Sequence, residues 1–96
     1  MNMNLVLVYF AKKYEGDWDK MYQAIAQKER IDFKDLEKLD SDMNCKYTTI
    51  IDNNYPNHFK SKYKPPFVLF YNGVEPTDEN TQHLDGGVGA YVLDLA

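Results

Sequence analysis

One cysteine, one tryptophan and four prolines punctuate a chain of 96 residues. Cys45 alone excludes an internal disulfide framework and a cysteine zinc site, and it reads as a small, partly buried thiol of a reducing compartment. A long hydrophobic run is also missing. The apolar stretch Leu5–Ala11 is seven residues, far short of the ~20 that cross a bilayer as a helix. The opening MNMNLVLVYF lacks a leading positive charge, and no small-residue cleavage site follows it. It therefore predicts neither a signal peptide nor a membrane association, and the protein reads as cytoplasmic. Nor is there a basic excess: eleven Lys and Arg face fifteen Asp and Glu, for a net charge of −4. A free-standing nucleic-acid binder usually carries the opposite balance, because phosphate neutralisation supplies most of its non-specific affinity.

What is present is enough for one modest core. With 44% hydrophobic and 15% aromatic residues the chain is not disordered by composition. A domain of this length buries roughly two-thirds of the surface its unfolded chain exposes. Eight tyrosines and five phenylalanines supply much of that area.

The chain is organised around Tyr47–Gly73, YTTIIDNNYPNHFKSKYKPPFVLFYNG. Tyr47–Ile51 and Phe67–Tyr71 are β-branched and aromatic runs that predict strands. Asp52-Asn53-Asn54 predicts the turn ending the first, since these side chains hydrogen-bond their own backbone. Pro56 is placed to open a helical turn, with Phe59 and Tyr63 on a shared buried face and His58, Lys60, Lys62 and Lys64 toward water. Pro65-Pro66 predicts extended backbone at Lys64, and Asn72-Gly73 predicts a turn closing the second strand.

In this order the stretch resembles the segment that leads into the nucleotide-binding-type domain of the DNA-processing protein A (DprA/Smf) family. The matching residues are Ile50, Asp52, Tyr55, Pro56, Pro65, Pro66, Val68, Leu69, Phe70, Tyr71 and Gly73. The resemblance covers under a third of the chain directly. It implies single-stranded DNA binding and delivery to a recombinase, but through a Rossmann-like domain that would begin where this chain has almost run out. Such a domain carries a glycine-rich phosphate loop. Here Gly86-Gly87-Val88-Gly89 precedes an apolar run, without the G-x-G-x-x-G spacing or a following helix. It reads as a loop.

Before that stretch the pattern is helical. Leu5–Tyr14 has strand propensity, yet Leu7, Phe10, Ala11 and Tyr14 form a helical stripe, and the family resemblance favours helix. Asp17 predicts the cap of a helix from Trp18 to Glu29 that buries Trp18, Met21, Tyr22, Ile25 and Ala26. Trp18 reads as a structural staple. Asp32 predicts the cap of a short helix, Phe33–Leu39, burying Phe33, Leu36 and Leu39, with Asp40-Ser41-Asp42 as its stop. Val74–Gly89 reads as a loop or weakly ordered connector, and Ala90–Leu95 as a last strand paired with Phe67–Tyr71.

The expected fold is a small single α+β domain, with helices in residues 1–45, the family-like segment in 46–73 and a glycine-containing tail in 74–96. Its helices pack on a sheet of two to three strands. The link of about fifteen residues between the central strands permits parallel or antiparallel pairing.

No residue set predicts catalysis. Cys45 and His58 flank a strand and a turn with nothing to join them as a dyad. His58 and His83 with Asp78, Glu79 or Asp85 match no metal-ligand spacing, and Asp40 and Asp42 lack the calcium-loop pattern. The expectation is a non-enzyme without metal or cofactor. Its first functional reading is an interaction module resembling a truncated DNA-processing protein A. Its partner would be a protein: a full-length family member, a recombinase or a second copy. The family-motif positions Asp52, Tyr55, Pro56, Pro65, Pro66, Tyr71 and Gly73 carry that reading. Two alternatives stand beside it. His58, Lys60, Lys62, Tyr63 and Lys64 mix aromatics with a local charge of +3 and suit single-stranded nucleic acid. The acidic run Asp32, Asp35, Glu37, Asp40 and Asp42 suits a phage- or mobile-element-type inhibitor imitating phosphates.

Overall fold

The computed structural model describes residues 2–95. Among them four α-helices, α1 (Met3–Lys13), α2 (Trp18–Ala26), α3 (Phe33–Asp42) and α4 (Asp78–Thr81), accompany three strands, β1 (Lys46–Thr49), β2 (Val68–Gly73) and β3 (Ala90–Leu95). The sheet order is β1-β2-β3, with β1 antiparallel and β3 parallel to β2. This is the expected small α+β domain, and its sheet has three strands and mixes both senses. None of the described helices is long and apolar enough to cross a membrane.

The helical option wins over Leu5–Tyr14 for a local reason. Asn2 adopts an extended backbone and its side chain accepts from the N–H groups of Asn4 and Leu5, satisfying donors that a helix start leaves open. Helix α1 then lies between the other helices and the sheet, burying Val6, Leu7, Val8, Phe10 and Ala11. Val68 and Phe70 of β2 join this core from the sheet. Alternation along the strand sends Leu69 to the opposite face, where it meets Tyr55, Phe59, Leu84, Tyr91 and Leu93. A 3₁₀ turn over Asn57–Ser61 and the β2–β3 connection cover that second face.

Several expectations change. Helix α2 stops at Ala26, with Lys28 left-handed at φ 54. It buries Met21 and Ala24, while Tyr22 is 53% exposed and Ala26 is exposed. The covering elements select a face centred one position from the expected stripe. Helix α3 runs on to Asp42 and buries Leu36, but Phe33, expected in the core, is 64% exposed at its first turn. Strand β1 ends at Thr49. There Asp52 accepts from the Thr49 N–H at 2.9 Å and folds the chain back, leaving Ile51 exposed. Asn72 and Gly73 make no turn. They continue β2, opposite Asp94 and Leu95, because the return strand is parallel and needs a crossover rather than a hairpin. The crossover of residues 74–89 is anchored by α4, whose Thr77 forms a reciprocal capping box with Asn80.

The buried phenols set a pH dependence. Burial raises the Tyr55, Tyr47 and Tyr71 hydroxyls above their ordinary range, with nearby carboxylates adding at Tyr47 and Tyr71. Tyr14 is raised first by its hydrogen bond to Glu29. A raised pKa means that the folded state holds the proton more tightly. The contribution is therefore complete below about pH 10 and is lost as pH climbs through the folded values. Urea midpoints should fall steadily above about pH 10 and less steeply in Tyr47→Phe. A midpoint independent of alkaline pH would contradict this burial.

Candidate interaction surface

The seven positions that carry the resemblance, Asp52, Tyr55, Pro56, Pro65, Pro66, Tyr71 and Gly73, are spread from the end of β1 through the 3₁₀ turn to the end of β2. Asp52 accepts from the Thr49 N–H, from Asn4 Nδ2 at 3.0 Å and from Thr48 Oγ1 at 3.2 Å, tying α1 to the end of β1. Tyr55 is 1% exposed and its hydroxyl donates to the Pro66 carbonyl at 2.6 Å. Pro56 is buried and precedes the 3₁₀ turn as its cap. The Pro65 carbonyl accepts from the Trp18 indole N–H at 2.8 Å. Tyr71 is buried in β2, and Gly73 ends that strand at φ 90, a conformation that favours glycine.

The basic-aromatic segment is not brought together as a patch. His58 lies half-buried against Phe59, with ring centroids 4.1 Å apart, and Nε2 is 2.9 Å from Thr81 Oγ1. Thr81 Oγ1 spends its proton on the Thr77 carbonyl, so His58 Nε2–H is the donor. Lys62 pairs with Asp85 at 3.1 Å and Lys64 with Asp19 at 2.8 Å. Lys60 alone of the three lysines lacks a salt bridge among the described residues, so the local excess is largely cancelled. Tyr63, expected beside Phe59 in the core, is 81% exposed. A turn of 3₁₀ rather than α helix, ending at Ser61, removes the four-residue spacing that would have aligned them.

The backbone of Lys64 departs from expectation as well. It sits at φ 53, in the left-handed region, and not in the extended conformation expected before Pro65. Tertiary contacts hold it there. Its carbonyl accepts from the Gly87 N–H at 2.8 Å, and its ammonium lies 5.5 Å from the Trp18 ring and 5.4 Å from the Tyr63 ring. The hydrogen bond to Asp19 raises the Lys64 pKa and keeps the ammonium charged.

Around Trp18 an aromatic ladder forms at the surface. Trp18 stacks on Tyr22 at 5.1 Å and 9°, and on Phe67 at 5.2 Å and 23°. Tyr22 and Tyr63 are exposed, Trp18 and Phe67 are half-buried, and Lys64 with Asp19 supplies a charged border. Sequence reasoning placed Trp18 and Tyr22 on one helix face but assigned that face wholly to the core. Their four-residue spacing was the available signal. Phe67 could be added only by the fold.

Other surfaces hold less. A groove of about 460 Å³ between α1, α2 and the loop after it is lined by Met3, Val6, Phe10, Ala24, Ile25 and Ile31. Cys45 packs with the helical core and His58 with the opposite face, so they form no dyad. Among the described residues no group of three or more His, Cys, Asp or Glu is placed to hold a metal. His83 is exposed. The acidic run is exposed but spread around α3. At about 100° per residue, Asp35 and Asp42 share one side while Glu37 and Asp40 lie on another. Comparison with protein-family models, curated proteins and solved structures finds no match.

Proposed function

We propose that this chain is a non-enzymatic interaction module of the cytoplasm, related through Tyr47–Gly73 to the leading segment of DNA-processing protein A, that works by protein contact in DNA processing or recombination. The observation that carries the reading is the division of labour among its aromatics. The motif tyrosines Tyr55 and Tyr71 are consumed by the core, whereas Tyr22, Trp18 and Tyr63 are displayed around the Lys64–Asp19 pair. Rigid aromatics bordered by a charge are the usual energetic centre of a protein interface. The partners that fit the resemblance are a full-length DNA-processing protein A and the recombinase it serves.

Titration of the labelled protein with each purified partner tests this. Tyr22→Ala and Tyr63→Ala, both at exposed positions, should each weaken binding about tenfold or more while leaving the fold intact, as expected for truncating an interface anchor. Absence of contact with both partners would retire the proposal. A parallel titration with a single-stranded oligonucleotide addresses the other use of a stacking ladder. Salt-sensitive binding that is lost on substituting Tyr22 would replace the protein-contact reading with a nucleic-acid one.

A further inference from the structure

Helix α2 ends in a backbone closure that shapes the groove beside it. The Glu29 N–H donates to the Ala24 carbonyl at 2.9 Å and the Lys28 N–H to that of Ile25 at 3.1 Å, with Lys28 left-handed at φ 54. The chain turns back across the end of α2. It thereby brings Lys28, Arg30 and Ile31 to the same groove of about 460 Å³ as Met3, Val6 and Phe10 of α1. Val6, Phe10 and Ala24 are buried and form its floor, while Met3, Lys28 and Arg30 are exposed at its rim. Seven residues of helix separate Met3 from Phe10, so the α1 side is about 10 Å long. An apolar hollow of this volume, with few polar groups at its mouth, falls in the range of small-ligand sites.

The uncommitted charges at the rim are cationic. Arg30, the chain's only arginine, and Lys28 make no salt bridge among the described residues. The acids beside them are already engaged. Glu29 accepts from Lys13 Nζ at 2.7 Å and from the Tyr14 hydroxyl, and Asp32 accepts from the Lys34 N–H at 2.8 Å. We propose that the groove binds an amphipathic monocarboxylate of the medium-chain fatty-acid class. Its chain lies against Val6, Phe10 and Ile25, and its carboxylate is received by Arg30 and Lys28. The lining supplies affinity with each methylene it buries. A guanidinium matches a carboxylate with two parallel hydrogen bonds, and the ammonium adds a second charge. Met3, an unbranched thioether, adapts over the chain. The site shares no residue with the Tyr22–Trp18–Phe67 ladder, so it stands apart from the choice of protein partner.

Isothermal titration of the whole chain with decanoate, at low salt and below its micellar range, should show one saturable site. Hexanoate should bind about a hundredfold more weakly, because four buried methylenes are lost. Decanol, with the same chain and no charge, should bind about tenfold more weakly than decanoate, and Arg30→Gln should remove most of that difference. Met3→Glu sets a carboxylate at the rim and should weaken decanoate about tenfold while sparing decanol. Both substitutions fall at exposed positions and leave the core intact. No saturable binding, equal affinity for decanoate and decanol, or indifference to both substitutions would each overturn the proposal. So would binding of an acidic amphipathic peptide without binding of decanoate, which would give the groove to a protein instead. None of these outcomes bears on the titrations that read Tyr22 and Tyr63.

Discussion

Replacing Tyr55 by alanine should destabilise the domain by about 3–5 kcal/mol, as expected for truncating a fully buried aromatic. Tyr55 is 1% exposed and packs on Phe59 at 5.7 Å, with Leu69 completing the small core of the second face. That layer is a 3₁₀ turn, a four-residue helix and connecting loop. It has few side chains to collapse into the space left, so the cavity should persist. Domains of this size have total stabilities near the low end of about 5–15 kcal/mol, so the variant should keep little of its stability and unfold at low urea. Tyr55→Phe separates packing from hydrogen bonding. It keeps the ring but leaves the Pro66 carbonyl without its donor at 2.6 Å, at a cost of about 1–3 kcal/mol. Urea unfolding followed by fluorescence of the single tryptophan measures both. A Tyr55→Ala midpoint as high as that of Tyr55→Phe would show that the second face carries little of the stability.

Gly86→Ala should also be destabilising although Gly86 lies in a surface crossover. A Cβ there would stand 2.0 Å from the Tyr63 carbonyl oxygen and 2.7 Å from that of Lys64. Both obstacles are backbone, so no rotamer change relieves them. The crossover must retreat, breaking the bond from the Gly87 N–H to the Lys64 carbonyl and releasing Lys64 from its left-handed conformation. Overpacking of this kind costs about 1–3 kcal/mol and occasionally more. It also has a readout that simple destabilisation lacks. Pro65 follows Lys64 and accepts the Trp18 indole hydrogen bond, so the native emission of Trp18 should shift before any urea is added. Unchanged emission and midpoint would mean that the crossover does not rest on Tyr63–Lys64. The same contact controls where Tyr63 points, so Gly86→Ala should weaken partner binding along with Tyr63→Ala.

These two residues also separate the information held locally from that held by the fold. Helices α2 and α3 were legible because each has its own start signal: Asp17 accepts from the Lys20 N–H and Asp32 from the Lys34 N–H. The cap of α1 at Asn2 was not read from the sequence, and the apolar run Leu5–Phe10 after it has strand propensity of its own. Strand positions, the Asp52 turn, the helical turn after Pro56 and the final strand were readable as α2 and α3 were. Each rests on propensities and hydrogen bonds spanning a few residues.

Tertiary structure decided what covers each element and how the strands pair. A periodic stripe says that a helix has an apolar face, yet the neighbours determine which part of it is shielded. Ala24 is therefore buried while Tyr22 and Phe33 are exposed. The antiparallel β1–β2 and parallel β2–β3 pairings join segments far apart in sequence, and connection length allowed either sense. The glycines after Asp85 looked like loop punctuation. Gly86 and Gly89 are close-approach points, against Tyr63–Lys64 and against Met21 and Gly16. Lys64 shows the limit most plainly. Its local neighbour, a proline, disfavours the conformation it adopts, and a hydrogen bond from Gly87, an ion pair with Asp19 and two aromatic rings together outweigh that preference. Local chemistry set the elements, and long-range packing chose which aromatics remained at the surface.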